Sequence, residues 1–340
     1  MKLTQFSKAA GCGCKIAPAV LEEILKTGSK ENFSQLLVGN ESKDDAAVYD
    51  IGNEQCIIST TDFFMPIVDD AFDFGRVASA NAISDVYAMG GKPLMAIAVL
   101  GWPVEKIPVE FARLVLEGSR QICKEAGIPL AGGHSVDSAE PIFGLAVTGI
   151  VQKQHLKKNN TVKKGDLLYL TKPLGTGILS TALKRDQLKE GDYSKLIEVM
   201  CSLNKAGELF GKLDYVHALT DVTGFGLAGH LLEMLDGNDL SAELQYASVP
   251  KIDGVEEYMK QFIFPDNTTR NYNAYKDKVS GMDGTEFLLL CDPQTSGGLL
   301  ASVSAEKQSQ FEKELKNANI EVSCIGKITE AAEKQISILH

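Results

Sequence analysis

The sequence predicts an α/β protein with two domains, and three observations support this fold class. A length of 340 residues is enough for two separate hydrophobic cores. Apolar runs at residues 94–100 and 142–151 are typical of buried strands, and stretches with helical spacing alternate with them. The most polar and basic stretch, residues 152–165, lies between the two halves. We therefore predict an N-terminal segment over 1–17, a first domain over 18–155 and a second domain over 156–340.

Composition argues against several classes of partner. A net charge of −11 argues against nucleic acid, because phosphate binding needs a basic surface. The longest apolar run, about ten residues near Met95, is too short to cross a bilayer. Lys8 and Lys15 interrupt any signal-peptide core, and the seven cysteines lack a disulfide-scaffold rhythm. We expect a cytoplasmic protein with reduced thiols and neither a nucleic-acid nor a membrane partner. Five cysteines are predicted to be small core residues: Cys56, Cys123, Cys201, Cys291 and Cys324.

The other two thiols, Cys12 and Cys14, lie in the glycine-rich run AAGCGCK. The adjacent Lys15 favours thiolate over thiol, so this pattern predicts a reactive cysteine in a mobile segment. One alternative is a disordered tail with incidental cysteines. Another is a metal site, although C-x-C supplies two ligands and no matching Cys/His cluster follows.

A hairpin is predicted from residues 46–51 and 55–63, two β-rich runs joined by a short Gly-Asn turn. Asp44 and Asp45 precede the first strand, and Asp62 lies in the second. One aspartate at such a turn is usually a local cap. An acidic pair beside a strand, with another aspartate on the neighbouring strand, is less easily explained as local capping and indicates a functional role.

The next unit is a helix followed by a strand. Ala78, Ala82 and Asp85 fall on one helical face, and Gly90-Gly91 ends the helix. Leu94–Leu100 then has the pattern of a strand covered on both faces. For Asp85 alone, a helix surface charge is the alternative to a functional role.

An amphipathic helix at residues 108–126 and the glycine-rich run LAGGHS at 130–135 complete this half with the strand at 142–151. The order is therefore ββαβαβ. The two glycines before His134 and Ser135 permit a close backbone approach to a phosphate-bearing ligand. A hydrogen-bonded core histidine is the alternative for His134.

The second half repeats the alternation of strands and helices. Gly175-Thr176-Gly177 weakly resembles a dinucleotide fingerprint, but Ser180 stands in place of the third glycine. Asp221 precedes a glycine-rich turn and a leucine-rich helix, and CDPQTSGGLL at 291–300 is a second glycine turn beside a buried strand. We predict a charged helix over 305–317 and a final strand over 320–328.

Four aspartates, Asp45, Asp62, Asp85 and Asp221, form the set with the clearest chemistry. Clustered carboxylates repel one another unless cations lie between them, and carboxylates with waters and phosphates are the usual ligands of Mg²⁺. The chain has neither a P-loop nor protein-kinase loops. The residues therefore predict a metal-dependent phosphoryl-transfer enzyme with a reactive cysteine, without fixing its substrate.

Seven motifs carry a resemblance to a known family: GCGCKIAP, GNESKDDAAVYD, STTDFFMPIVDD, NAISDVYAMGGKPLMAIAVLGWP, LAGGHS, TDVTGFGLAGH and CDPQTSGGLL. Together they resemble selenophosphate synthetase, also called selenide, water dikinase, from Cys12 to about Leu300. The resemblance implies synthesis of selenophosphate from selenide, ATP and water, with release of AMP and orthophosphate. It also implies the aminoimidazole ribonucleotide synthetase-like fold, in which two α/β domains occur and the N-terminal sheets pair into a barrel across a homodimer.

The resemblance also implies residue roles. Cys12 matches the position that the family fills with cysteine or selenocysteine, Lys15 matches its essential lysine, and Cys14 is auxiliary. The implied Mg²⁺ ligands are Asp45, Asp85 and Asp221. The implied nucleotide contacts are Lys15, Ser42, Lys43, Asp44, Asp62, Asp85, Gly133, His134 and Ser135.

The partners implied are ATP, selenide, a second copy of the chain and a transient selenium-delivery protein. Two alternatives remain. A kinase or cyclo-ligase of the same fold would keep the aspartates without a reason for GCGCK. A thiol or metal carrier would keep the cysteines without a reason for four aspartates.

Overall fold

The structure is a computed structural model that describes residues 1–6, 24, 33–39 and 44–340. Cys12, Cys14, Lys15, Ser42 and Lys43 lie outside the described residues, as does the segment 7–23. The roles predicted for these five residues therefore stay predictions.

The first domain is built on a six-stranded sheet with the order β1-β2-β3-β6-β4-β5. Its strands are β1 (Leu36–Val38), β2 (Ala47–Gly52), β3 (Gln55–Phe64), β4 (Lys92–Trp102), β5 (Leu130–Asp137) and β6 (Ile142–Gln152). The predicted hairpin is confirmed as the antiparallel pair β2–β3. All neighbours are antiparallel except β4 and β5, which are parallel. β1 and β5 are missing from the predicted order ββαβαβ, because β1 is very short and β5 has the glycines of a loop.

Two helices cover one face of this sheet, α1 (Ala71–Ala88) and α2 (Val109–Ala126). α1 begins at Ala71, well before the predicted stretch that starts at Ala78, and its N-cap is Asp70, whose side chain accepts a hydrogen bond from Asp73 N. The two helices pack closely because each has a glycine at the crossing. A Cβ on Gly75 would lie 1.9 Å from Val115 O, and one on Gly118 would lie 2.0 Å from Phe72 O.

The other face of the sheet is not covered by any described part of the chain, which corrects one prediction. β4 was expected to be buried on both faces, but Leu94, Met95 and Ile97 are exposed while Ala96 and Ala98 are buried. The same alternation on β3 exposes Phe63 and buries its neighbour Phe64. The exposed apolar side chains of these strands are Leu36, Tyr49, Ile51, Phe63, Leu94, Met95, Ile97 and Val136. We refer to them as the outer face.

The second domain is built on a seven-stranded sheet with the order β10-β13-β9-β12-β7-β11-β8. Its strands are β7 (Leu167–Leu170), β8 (Val216–Asp221), β9 (Leu240–Gln245), β10 (Val279–Ser280), β11 (Leu299–Val303), β12 (Ser323–Glu330) and β13 (Ile336–Leu339). The helices are α3 (Thr176–Lys184), α4 (Asp192–Cys201), α5 (Ala206–Lys212), α6 (Gly226–Leu235), α7 (Val255–Lys260), α8 (Asp266–Tyr275), α9 (Glu286–Leu290) and α10 (Gln308–Asn317). Short 3-10 helices occur at Leu3–Phe6, Lys153–His155, Tyr246–Ser248 and Ala305–Lys307.

Two predictions for the end of the chain were incomplete. The charged helix forms, as a 3-10 turn followed by α10, but the strand β12 is not the last. β13 follows it and pairs in parallel with β9.

Four of the five cysteines predicted to be in the core are buried, whereas Cys324 is exposed. Among the described helices, none combines the length and apolar character that a bilayer span requires.

α1 joins the two domains, because it is buried on nearly every side. One side contacts β3, β6 and α2, and another contacts α4, α5 and β8 of the second domain. A Cβ on Gly207, in α5, would lie 2.0 Å from Tyr87 O in α1, so these two helices also pack closely. The end of α1 that carries Asp85 therefore lies at the domain junction.

Candidate active site

Two strand residues and two helix residues form the first part of the site. Thr60 and Asp62 are two apart on β3 and face α1, where Asn81 and Asp85 are four apart and share a face. Thr60 Oγ1 donates to Asp85 Oδ2 at 2.5 Å, and Asn81 Nδ2 donates to Asp62 Oδ2. The strand and helix periodicities therefore hold two carboxylates side by side at the domain junction.

Asp44 and Asp45 connect the start of β2 to the second domain. Asp44 Oδ1 accepts a hydrogen bond from Asn159 N at 2.7 Å, and Asp45 Oδ1 accepts one from Thr220 Oγ1 at 3.0 Å. Thr220 precedes Asp221 at the end of β8. The second-domain strand thus brings Asp221 to the carboxylates of the first domain.

The electrostatics of Asp45 show that these carboxylates form one group. Burial raises the pKa of Asp45 well above its usual range, and the charges of Asp221, Asp85 and Asp44 raise it further. The hydrogen bond from Thr220 opposes this shift. Asp45 Oδ2 is buried and has no hydrogen-bond partner among the described residues. Such a group gains stability when a cation is placed among its oxygens.

These residues fit Mg²⁺ as ligands that act together with water and phosphate. Mg²⁺ prefers carboxylate oxygens and usually keeps several waters or substrate oxygens. Within the described ranges, no three His, Cys, Asp or Glu side chains converge closely enough to hold an ion on their own. Asp85 and Asp221 nevertheless act on Asp45 through their charges. The donor set consequently leaves coordination positions for ligand oxygens.

Sequence reasoning missed several residues of this site. Thr60 and Asn81 follow from periodicity, because they lie two residues before Asp62 and four residues before Asp85. Thr220 and Lys172 gave no comparable pattern. Lys172 is buried and donates to two backbone carbonyls. It also lies close enough to Asp221 for that carboxylate to raise the pKa of the lysine. Burial lowers the pKa of Lys172 to about 7.

Gly133, His134 and Ser135 are not brought to the aspartates within one chain. They lie on the edge strand β5, and their side chains are exposed, so the core alternative for His134 is excluded. β6 and β4 separate β5 from β3. Three strand spacings amount to about 14 Å. The segment 133–135 is therefore exposed to solvent beside the outer face.

The Gly175-Thr176-Gly177 turn is occupied by side chains of the chain itself. Asp292 Oδ2 accepts hydrogen bonds from Gly177 N and Ile178 N, at 3.1 and 3.3 Å. Gln294 Oε1 accepts from Gly175 N and Thr176 N. A nucleotide phosphate would need these same N–H groups. The dinucleotide alternative is therefore not supported by the structure.

Comparison with known proteins gives consistent results over the whole chain. Residues 43–151 match the family described as AIR synthase related protein, N-terminal domain, and residues 163–338 match its C-terminal domain. A protein from Pseudomonas putida named selenide, water dikinase is 54% identical over 340 residues, covering 100% of this chain and 99% of its own. One of the same name from Aeromonas hydrophila is 56% identical over 330 residues, covering 96% and 95%.

Solved structures share the fold at low identity. The thiamine monophosphate kinase from Aquifex aeolicus has a TM-score of 0.68 at 16% identity, covering 94% of each chain. The hydrogenase maturation protein HypE in complex with ATP has a TM-score of 0.65 at 17% identity, covering 88% of this chain and 85% of its own. These likenesses establish the two-domain α/β fold.

Proposed function

Because this chain belongs to the selenide, water dikinase family, we propose that it makes selenophosphate from selenide, ATP and water and releases AMP and orthophosphate. One observation of the structure carries the proposal most directly. Asp45, Asp85 and Asp221 come from both domains and are close enough to act on the pKa of Asp45. An acidic chain can bind the charges of ATP only through metal ions and a few positioned donors. The product would supply activated selenium for selenocysteine and selenouridine formation.

We assign Mg²⁺ binding to Asp45, Asp85 and Asp221. When bound there, Mg²⁺ would neutralise the phosphate charge that develops as a phosphoryl group is transferred. The chain's own residues orient the ligands: Thr60 holds one oxygen of Asp85, and Asn81 holds one oxygen of Asp62. Asp62 is the proposed contact to the nucleotide phosphates. Fixed positions matter because positioning and charge stabilisation supply most of the catalysis in phosphoryl transfer.

The thiol chemistry is assigned to the N-terminal segment 1–17, which precedes a nucleotide-binding and dimerising domain over 18–155 and a second domain over 156–340. Cys12 is the proposed nucleophile or selenium ligand, and Lys15 the proposed phosphate contact. Ser42, Lys43 and Asp44 would contact ATP. Residues 1–6, at the start of this segment, are held to the first domain, since Leu3 is fully buried and Thr4 N donates to Asp69 Oδ1.

A homodimer through the outer face would complete the nucleotide site. The outer face is a set of apolar side chains large enough to favour association. Gly133, His134 and Ser135 lie beside it, about 14 Å from Asp62 in one chain. Their predicted ATP contact therefore requires a second copy that brings them to the aspartates of its partner. Pairing of the two sheets would form the barrel implied by the resemblance.

The decisive experiment is nucleotide analysis under anaerobic conditions. Purified protein with ATP, Mg²⁺ and selenide should form AMP and orthophosphate, and selenophosphate should be visible by phosphorus NMR. ADP as the only nucleotide product would contradict the dikinase and favour a kinase of the same fold. A protein that binds selenide without turning over ATP would favour a carrier.

Two cysteine variants form a matched pair for the thiol assignment. Cys12→Ser should abolish selenophosphate formation, whereas Cys14→Ser should retain most of it, because only a thiolate can act as the nucleophile. Equal losses would show that the two thiols work together. We also propose a cytoplasmic location and a transient selenium-delivery partner, and complementation of a selenophosphate-deficient host would test the activity in the cell.

A further inference from the structure

Two lysines are buried at the domain junction, and they differ in where their hydrogen bonds lead. Lys157 and Lys172 are each 6% exposed. Lys157 Nζ donates to Leu213 O and Val216 O, at 2.8 and 2.7 Å. Lys172 Nζ donates to Ser202 O and Ser296 O, at 2.7 and 2.8 Å. Each lysine thus satisfies two backbone carbonyls, which makes one a matched control for the other.

The Ser296 peptide that Lys172 holds is also held from the first domain. Ser296 N donates to Asn81 Oδ1 at 2.7 Å, and Asn81 in turn bonds Asp62. Ser296 has a φ of 53°, a left-handed conformation that costs a non-glycine residue about 1–2 kcal/mol. It is fully buried. A strained peptide persists only when its surroundings fix it from both sides, as Asn81 and Lys172 do here.

The turn around Ser296 is joined to α1 by a second bond and continues into the strand beside Asp221. Asn204 Nδ2 donates to Gly297 O and to Ser84 Oγ, both at 2.8 Å. Val222 N donates to Gly298 O at 2.8 Å, and Leu299 is paired with Asp221 across β11 and β8. A displacement of the Ser296 turn would therefore displace Asp221 relative to α1 and its carboxylates.

We propose that Lys172 is a positioning residue that sets the distance between Asp221 and the first-domain carboxylates. It holds the Ser296 peptide from the second domain while Asn81 holds the same peptide from the first. The spacing of the aspartates assigned to the metal then depends on one buried lysine side chain that need not touch the substrate. This inference rests on the metal site assigned under the proposed function.

Substitution of Lys172 should change cation binding in opposite directions depending on whether the lysine acts through its position or through its charge. Lys172 lies near Asp221, so loss of its positive charge alone would strengthen the binding of a divalent cation. Loss of positioning would weaken it. Lys172→Met keeps most of the stem and removes both the charge and the two hydrogen bonds. Weaker binding of Mn²⁺ in the absence of nucleotide, where no phosphate is present for the lysine charge to attract, therefore has the sign of lost positioning and the opposite sign to lost charge.

The test compares wild type, Lys172→Met and the control Lys157→Met in the full-length protein. Mn²⁺ binding is measured by electron paramagnetic resonance without selenide, first without nucleotide and then with a non-hydrolysable ATP analogue. Urea unfolding measures stability, and AMP formation gives kcat and KM. Both variants should lose stability, because each leaves two buried carbonyls without donors. Only Lys172→Met should bind Mn²⁺ at least tenfold more weakly and show a lower kcat.

The proposal would be overturned if Lys172→Met bound Mn²⁺ as tightly as Lys157→Met does, or more tightly. If Lys172→Met does not fold, Lys172→Gln replaces it, since an amide keeps one donor and removes the charge. The same tenfold criterion then applies. Failure of wild type itself to bind Mn²⁺ would overturn the metal site and this assignment together, and that result is recognisable without any variant.

Discussion

Two aspartates of the second domain, Asp221 and Asp292, are similar in sequence and opposite in surroundings. Each precedes a glycine-rich turn, and each is at most 1% exposed. Asp292 Oδ2 accepts from Gly177 N, Ile178 N and Gln294 Nε2. Asp221 instead belongs to a group of carboxylates, and its negative charge is one of those that raise the pKa of Asp45 and so make that carboxyl group harder to ionise. One oxygen of Asp292 is therefore satisfied by donors of the chain itself, whereas the carboxylates around Asp45 gain stability when a cation is placed among their oxygens.

The largest effect is expected from neutralising the carboxylates that face one another. Asp85→Asn and Asp221→Asn should each reduce AMP formation by at least about 100-fold, because each removes a charge proposed to hold the metal ion to which the phosphates bind. The melting temperature should stay equal or rise, since carboxylate repulsion is relieved. Turnover assays and calorimetry measure both quantities. Normal turnover, or failure to fold, would remove these residues from the metal site.

The opposite pattern is expected at Asp292. Asp292→Ala leaves Gly177 N and Ile178 N buried without acceptors, which should lower the free energy of unfolding by about 2–5 kcal/mol. Urea denaturation measures the loss. Asp239→Ala, at an exposed aspartate of the same domain, is the control and should change stability by about 0.5 kcal/mol or less. A small loss at Asp292 would mean that water replaces its carboxylate.

A pH dependence follows from the burial of Asp292. Burial raises its pKa from 3.8 to about 8, against hydrogen bonds from Gln294, Ile178 and Gly177 that lower it. The folded state then binds more protons than the unfolded state between these values. The contribution of Asp292 to stability is therefore present below pH 4 and lost as the pH rises to about 8. The difference in unfolding free energy between wild type and Asp292→Asn should fall across this window, and a flat difference would contradict the raised pKa.

The smallest effect is expected at the turn beside Asp292. Ser296 adopts a left-handed φ of 53°, and its Oγ is buried without a hydrogen-bond partner among the described residues. Ser296→Gly relieves the strain and keeps both peptide hydrogen bonds, so stability should change by about +1 kcal/mol at most. Its loss of kcat should be smaller than that of Lys172→Met. A loss equal to that of Lys172→Met would assign a role to the hydroxyl group.

Sequence patterns within a single segment correctly predicted those helices and strands whose structure depends mainly on their own residues. The β2–β3 hairpin, α2 and α6 follow from alternation, amphipathic spacing and glycine turns, and the structure confirms them. The burial of β4 was wrong because an apolar run looks the same whether its second face meets the same chain or is left exposed. β5 was missed because its glycines are typical of loops.

The sequence by itself determined the fold class, the family and the identity of the four aspartates, since these depend on residue types in a fixed order. It could not determine which aspartates face one another. Asp45, Asp85 and Asp221 are far apart in the chain and meet only because α1 packs between the two sheets. The contacts of Thr220 and Lys172 also emerged only from tertiary structure. The reason is physical: a hydrogen bond or a charge interaction depends on distances of a few ångströms, and packing of distant segments sets those distances.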